Sequence, residues 1–302
     1  MKPIIGFIVP TMNRTESLNR LLASVYGQTV KPDTIIIVDG SDNPIEDHIA
    51  HDPSVTLIYV REYPPSLTRQ RNSGIRAIPG HLTHIGFLDD DLVLLSGCIE
   101  AISGFIEQHD DTLGGAGFNI QDQPPGPLRL LSVIMAHSSL RPGKVRSSGY
   151  ASSNVSAKQS YYSEWLCGGA TIWRKSVLEE YKFDEWFKGY ALWEDVDFSY
   201  RVSRSLKLAL VADAKVLHLH IHNYDRERAS RLGDLEIVDR FYFIQKHRNP
   251  MSIRMGVWAS FGTIGRNILT AAKQQNSLHL IRALSNLRAL VRCMRGDIRR
   301  GY

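Results

Sequence analysis

The stretch Ile85-Gly86-Phe87-Leu88-Asp89-Asp90-Asp91-Leu92 places three adjacent carboxylates between two apolar runs, the second being Leu92-Val93-Leu94-Leu95. A short unbroken apolar run predicts a buried strand ending at Leu88. The acids then sit at the strand's carboxyl end, where open α/β sheets place their ligands. Three neighbouring anions repel one another and call for a compensating positive charge. A divalent cation carrying a phosphate ligand meets that need, because hard cations take carboxylate oxygens. Taken alone, the triplet reads as a solvated acidic turn. Its surroundings decide otherwise.

Upstream, residues 4–9 read as a strand, with Pro10-Thr11-Met12-Asn13-Arg14 as the loop at its carboxyl end. Leu18, Leu21, Leu22 and Val25 recur at helical spacing, and Gly27 marks the stop. Thr34–Val38 is a second buried strand ending at Asp39-Gly40-Ser41-Asp42, and Val55–Val60 is a third. Ser66–Ile78 reads as a helix carrying Arg69, Arg71 and Arg76. The order strand, helix, strand, strand, helix, strand predicts an α/β fold with a mostly parallel sheet and covering helices. Polar loops after the strands, at 11–14, 39–43 and 89–91, outline a crevice of nucleotide size. No strand-to-helix turn carries G-x-G-x-x-G; Gly114-Gly115-Ala116-Gly117 lacks the spacing, and no P-loop pattern occurs.

Downstream, Pro124-Pro125-Gly126-Pro127 and the serine-rich run 147–153 predict a long irregular excursion over 120–160, either a lid or a disordered insertion. Trp165–Arg174 reads as a strand with a glycine-rich entrance, followed by a helix near 176–181. The segment 183–198 mixes aromatics and acids. Phe198, Val202 and Leu206 lie four apart, which starts a helix near Asp195 with its acids at the positive end of the dipole. Ala209–Val211 and Lys215–Leu217 read as short strands leading into His218-Leu219-His220-Ile221-His222. Strand alternation puts the three imidazoles on one face, as metal or phosphate ligands or as structural residues.

The last stretch is helical and basic. Met251–Leu269 is apolar, interrupted by Gly256, Gly262 and Gly265. From Leu280 an apolar stripe runs through Leu284, Leu287, Val291, Met294 and Ile298, beside Arg288, Arg292, Arg295 and Arg299. Such a helix lies on a membrane surface, binds a partner, or packs on its own domain with a solvated arginine edge.

The 302 residues, 43% hydrophobic and 22% charged, suffice for a sizeable core. A net charge of +5 favours an anionic partner. Nucleic acid is not expected, because the arginines cluster in one helix without a recognisable binding motif. Three scattered cysteines, Cys98, Cys167 and Cys293, indicate neither a disulfide framework nor a zinc site and fit a reducing compartment. The N-terminal apolar run is short, broken by Pro10, and followed by no small-residue cleavage site, so a strand is expected there and not a signal sequence. No run approaches the roughly 18 to 20 apolar residues that span a bilayer. A cytoplasmic protein is expected, with association at the inner face of the cytoplasmic membrane open.

Seven pieces carry a family resemblance: Val9-Pro10-Thr11-Met12-Asn13-Arg14, Val38-Asp39-Gly40-Ser41, Thr68-Arg69-Gln70-Arg71-Asn72-Ser73-Gly74-Ile75, Phe87-Leu88-Asp89-Asp90-Asp91, Gly168-Gly169-Ala170-Thr171, Trp193-Glu194-Asp195-Val196-Asp197 and Ala214-Lys215-Val216-Leu217-His218. In this order over about 4–220 they resemble the family 2 glycosyltransferases, inverting nucleotide-sugar-dependent enzymes of GT-A fold. Phe241-Tyr242-Phe243 with Arg248-Asn249 is similar, less specifically, to members that build bacterial polysaccharides.

The resemblance implies a catalytic domain over 1–230, with a nucleotide-binding half at 1–119 and an acceptor and catalytic half at 160–222, then a helical basic region at 231–302. It implies that Pro10, Thr11 and Arg14 border the nucleotide, that Asp39 meets uracil or an equivalent base, and that Arg71 lies near the nucleotide. Asp89-Asp90-Asp91 corresponds to the family's D-x-D motif: Asp89 and Asp91 would bind Mn²⁺ or Mg²⁺, with His218 as a further metal or phosphate contact. Asp90 would position the ribose or the backbone. Asp195, with Glu194 as the close second, would take the proton of the acceptor hydroxyl. Gly169 belongs to the acceptor and sugar side, and Trp165, Tyr190 and Trp193 would stack on a sugar or pack in the core.

The expected activity is transfer of a sugar from a nucleoside-diphosphate sugar, UDP favoured, to a glycan or lipid-linked glycan. Its alternatives are a catalytically silent nucleotide-sugar-binding or scaffold protein and a nucleotidyltransferase. The latter normally needs a glycine-rich loop that Pro10–Arg14 does not contain.

Overall fold

The computed structural model describes residues 2–109, 111–122, 129–219 and 224–299. Pro124-Pro125-Gly126-Pro127, His220 and His222 lie outside them. The chain forms two compact units, one from 1–125, 154–190 and 194–221, the other from 126–153, 191–193 and 222–302. The division is therefore not a single cut at residue 230: two earlier segments join the C-terminal helices because their packing partners lie there.

In chain order the elements are β1 (Ile5–Thr11), α1 (Thr15–Tyr26), β2 (Thr34–Asp39), β3 (Thr56–Arg61), α2 (Leu67–Arg76), β4 (His84–Leu88), β5 (Leu92–Leu94), α3 (Cys98–Glu107), β6 (Leu113–Ile120), α4 (Arg129–Ile134), β7 (Tyr161–Ser163), β8 (Ala170–Arg174), α5 (Lys175–Glu180), α6 (Glu194–Ser203), β9 (Lys207–His218), α7 (Arg226–Lys246), α8 (Ile253–Gln274) and α9 (Ser277–Met294). The first unit is built on one sheet of order β3-β2-β1-β4-β8-β6-β9-β5, with β7 also paired to β9. β1 to β4, β6 and β9 run one way and β5, β7 and β8 the other, the mixed but mostly parallel sheet expected.

Both faces of the sheet are covered at its centre, which is why β1, β2 and β4 are nearly unbroken apolar runs without polar alternation. Phe7, Val9, Ile35 and Ile37 point to one side, into a core with Leu18, Leu21, Leu22 and Val25 of α1 and Ile99 and Ile102 of α3. Ile8, Ile36 and Val38 point to the other, against Ile75 of α2, Val177 of α5 and Phe198 and Val202 of α6. The period-two alternation of Cβ directions produces this split.

Two expectations need correction. Ala209–Val211 and Lys215–Leu217 are halves of one strand, β9, whose register against β6 shifts between Phe118 and Asn119. Asn119 Nδ2 bonds the Ala212 carbonyl at 2.7 Å where the ladder is interrupted, so a bulge in β9 stands where a break was read. The strand expected over Trp165–Arg174 is confined to Ala170–Arg174, because Cys167–Ala170 turns, the Ala170 N–H reaching the Cys167 carbonyl at 3.0 Å. Gly114–Gly117, which lacks the dinucleotide-binding spacing, is part of β6: a Cβ on Gly115 would stand 2.5 Å from the Trp173 ring, which the glycine lets lie against the strand.

The described part of 120–160 is tied down. Ser156 N–H bonds the Ile120 carbonyl at 2.8 Å in the first unit, and in the second Val145 bridges Ala151. The second unit is helical, with α7, α8 and α9 capped by the side chains of Asp225, Ser252 and Asn276. Arg240 of α7 is fully buried there, its guanidinium 4.2 Å from the Tyr150 ring centre and 2.7 Å from Ser260 Oγ.

Candidate active site

β2, β1 and β4 are neighbours, so the polar loops that end them lie side by side. Gln70 of α2 fastens two of these ends, its Nε2 donating to the carbonyls of Thr11 and Val38 at 2.9 Å each. The loop after β1 is fastened to the loop after β2 as well, through Asn13 N–H to Ser41 Oγ at 2.8 Å and Asn13 Nδ2 to Asp42 at 2.9 Å. Pro10 is buried beside Val38 in this frame.

The three acids after β4 diverge. Asp90 turns inward: it is 6% exposed, accepts from Thr11 Oγ1 at 2.7 Å, and meets Arg14 Nη1 at 3.2 Å. Burial pushes its pKa up to about 6 against the help of Thr11 and Arg14. Arg14 also reaches Asp91 at 3.3 Å. Asp91 Oδ1 lies 2.9 Å from His218 Nε2, and its backbone carbonyl accepts from Leu219 N–H at 2.9 Å. This pair forms because β5 runs antiparallel to β9 with Leu92 opposite His218. The Asp91 carboxylate raises the His218 pKa despite the burial that opposes it.

Asp89 points toward the third group. Its N–H bonds the Gly169 carbonyl at 2.8 Å, and a Cβ on Gly169 would fall 1.9 Å from its carboxylate, so residue 169 must be glycine for Asp89 to stand where it does. Arg71 Nη2 approaches Asp89 at 3.3 Å, and Nη1 approaches Glu194 at 2.9 Å. The guanidinium is 1% exposed, lies 5.1 Å from the Phe183 ring centre, and leaves its Nε with no acceptor among the described residues.

Glu194 and Asp195 open α6. Asp195 accepts from the N–H of Gly168 at 3.1 Å and of Val196 at 2.8 Å. Burial raises both carboxyls, and the proximity of Asp195 adds to the effect on Glu194, whose pKa reaches about 8. The preceding segment lies along α2, with Thr68 Oγ1 on the Phe187 carbonyl at 2.8 Å and Asn72 Nδ2 on that of Phe183 at 3.0 Å.

The structure thus brings together Thr11, Arg14, Arg71, Asp89, Asp90, Asp91, Gly169, Glu194, Asp195 and His218. Asp39 stands at the adjacent strand end, but wholly buried and already occupied. It accepts from Ser41 N–H at 2.7 Å, Ile45 N–H at 3.3 Å, Tyr59 Oη at 2.6 Å and Arg61 Nη1 at 2.5 Å. Burial would raise its pKa, yet these donors hold it below the ordinary carboxylate value. Trp165 is half-buried, its carbonyl taking Asn154 Nδ2 at 2.7 Å, and Tyr190 is exposed. Trp193 groups with the helical unit, where its Nε1 donates to the Gly149 carbonyl at 2.7 Å and its ring meets Tyr150 edge-on.

Sequence reasoning missed Gln70, Tyr59 and Arg61. A signal for Gln70 existed: Thr68, Gln70, Arg71, Asn72 and Ser73 form a nearly all-polar stretch of helix, and all are buried. Buried polar residues need partners, so such a helix marks a hydrogen-bonded site.

Asp89, Asp91 and His218 each offer one ligand atom, all within 4.8 Å of one another. Two carboxylates and an imidazole fit a divalent ion that accepts both oxygen and nitrogen, Mn²⁺ more readily than Mg²⁺, which prefers an all-oxygen shell.

Residues 7–180 match the family described as Glycosyl transferase family 2. Among curated proteins, an uncharacterized glycosyltransferase, EpsJ of Bacillus subtilis (strain 168), is 30% identical over 123 residues, 39% of this chain and 35% of its own length. The match therefore spans about a third of that relative. Among solved structures, the mannosyltransferase PcManGT from Pyrobaculum calidifontis, in complex with GDP-Man and Mn²⁺, superposes with a TM-score of 0.58 at 13% identity, covering 96% of this chain and 88% of that one. GalNAc-T7 with UDP, GalNAc and Mn²⁺ gives 0.56 at 15% identity, over 80% and 50%. At such identities the likeness is one of fold.

Proposed function

This chain belongs to the family 2 glycosyltransferases, and from that membership we propose that it moves a sugar from a nucleoside-diphosphate sugar to a hydroxyl of a glycan or lipid-linked glycan, with inversion at the anomeric carbon. The observation that carries the reading is one connected network: Asp89, Asp91 and His218 within 4.8 Å at one end, joined through Arg71 to Glu194 and Asp195 at the other.

Asp89, Asp91 and His218 hold the divalent cation, Mn²⁺ or Mg²⁺. When bound, the cation supplies Lewis-acid neutralisation of the diphosphate as it leaves. Arg14, about two-fifths exposed, turns a cationic face to the same phosphates. Asp195 takes the acceptor's hydroxyl proton. Its two backbone N–H bonds fix the carboxylate's orientation, and the pKa raised by burial brings its basicity toward neutral pH. In a single displacement the acceptor oxygen bonds to the anomeric carbon as the bond to the leaving phosphate oxygen breaks. Attack from the opposite face inverts the centre.

Uridine is favoured because Asp39 occupies the family's base-binding position. Four donors of its own chain already fill that carboxylate, so an N–H of the base must replace one of them, and Arg61, the most exposed, is the one able to withdraw. GDP-Man in PcManGT and UDP in GalNAc-T7 keep both nucleotides in the test. The experiment is donor hydrolysis and thermal shift across UDP-, dTDP- and GDP-sugars with and without Mn²⁺. Hydrolysis of one donor only with metal supports the reading. Donor binding without turnover on any acceptor would make the chain a silent binder.

A further inference from the structure

α9 is built inside out. Its buried face is Ala283, Ser285, Asn286, Ala289, Leu290 and Cys293, small or polar save one, while Leu280, Leu284, Leu287, Val291 and Met294 are exposed, Met294 at 62%. α8 shares this habit. Ala259, Thr263, Asn267 and Ala271 face inward, and Ile253, Trp258, Phe261, Ile268 and Leu269 face out. Short α4 extends the outward face of α8, since Trp258 Nε1 donates to the Ile134 carbonyl at 2.9 Å and Leu130, Leu131 and Ile134 are exposed. Soluble monomers rarely turn rows of large apolar side chains like these toward water.

Charge identifies what covers it. Residues 241–302 hold eleven Lys and Arg against one acid, Asp297, a net +10 in a chain whose total is +5. Arg248, Arg254, Lys273, Arg288 and Arg295 make no ion pair among the described residues. A groove of about 520 Å³ beside Leu284 is lined by Arg226, Arg231 and Arg288 against the single acid Glu227, room for an anionic headgroup. A second copy of the same face would set like charge on like charge. Nucleic acid offers no counterpart to rows of Leu, Ile and Phe. Aliphatic rows flanked by unpaired arginines match the boundary of a bilayer rich in anionic lipid. No helix among the described residues is long and apolar enough to cross one.

We propose that the outward faces of α4, α8 and α9 seat the protein on an anionic lipid surface, apolar side chains entering the headgroup boundary and arginines pairing with lipid phosphates. The inference stands apart from the choice of donor. Its test is co-sedimentation of the full chain with vesicles of phosphatidylcholine, alone or mixed equally with phosphatidylglycerol. Binding to the mixed vesicles is expected to be at least about tenfold tighter and to weaken between about 50 and 500 mM salt. Phe261→Ser with Leu269→Ser, and separately Leu284→Ser with Leu287→Ser, should each weaken it by roughly tenfold at unchanged helicity. Equal binding to both vesicles, none to mixed vesicles at low salt, or binding indifferent to both pairs of substitutions overturns the proposal. So does a dimer in lipid-free solution that either pair dissociates, because a second copy would then be the occupant.

Discussion

Arg71 and Glu194, 123 residues apart in the chain, meet in an ion pair of 2.9 Å with the arginine 1% and the glutamate 7% exposed. A buried charge that loses its partner costs more than the pair ever contributed, about 3–5 kcal/mol. Above about pH 8, where Glu194 is ionised, Arg71→Met therefore leaves Glu194 and Asp195 uncompensated, and the unfolding free energy from urea titration should fall by an amount in that range. Unchanged stability would show that the carboxyls are neutral in the folded protein and do not need Arg71.

Asp195→Asn keeps the acceptor of the Gly168 N–H but cannot take a proton. Sugar transfer should drop by about 10²–10⁴ while UDP-sugar binding, followed by thermal shift, stays within a factor of about two. Near-normal transfer would move the base role to Glu194.

Gly169→Ala forces the Asp89 carboxylate aside, because the added Cβ would lie 1.9 Å from Oδ2. The expected outcome is a folded protein whose Mn²⁺-dependent thermal shift is lost together with its transfer activity. His218→Ala should weaken the same Mn²⁺ response without abolishing it, since Asp89 and Asp91 remain. Full Mn²⁺ binding in both variants would place the ion elsewhere.

Acid sensitivity should come partly from two half-buried imidazoles outside this network. Burial, then the nearby Arg174, lowers His84 from 6.5 to about 4, and burial lowers His137 in the helical unit likewise to about 4. Below 6.5 the unfolded chain binds protons that the folded chain refuses, so stability falls as pH drops toward about 4 and levels off beneath it. His84→Gln should reduce the fall in melting temperature between about pH 7 and pH 4.5. An identical pH profile would show that His84 is protonated freely in the folded state.

The legible features were those in which local pattern and burial agree. Leu18, Leu21, Leu22 and Val25 predicted α1 because one helix face meets one sheet face, and the runs at Ile35–Val38 and Ile85–Leu88 predicted strands covered on both sides. The family motifs by themselves located most residues of the acid network. What stayed hidden depends on distant partners. The pairing of His218 with Asp91 needs β9 beside β5, and β9 read as two strands. Gly114–Gly117 has no strand-forming side chains and becomes β6 because Trp173 and Leu206 fill the space its glycines leave. The saturation of Asp39 needs Tyr59 and Arg61 from the next strand. The apolar stripe of α9 has the same spacing whichever way it faces, and only the placement of Ala283, Asn286 and Ala289 reveals that it looks outward.

The interleaving of the helical unit bears on its birth at the ribosome. Tyr150 hydrogen-bonds Thr263, and His137 bonds the Ala259 carbonyl 122 residues further along. At about 5–20 residues per second, translation leaves the segment carrying Tyr150 without these partners for on the order of ten seconds. During that interval the sheet of the first unit can finish assembling, while the nascent chain still displays Ala136 and Tyr150, which α8 covers only later. A stop codon placed after the last strand would prolong that interval indefinitely, and truncated products of this kind are natural clients for chaperones.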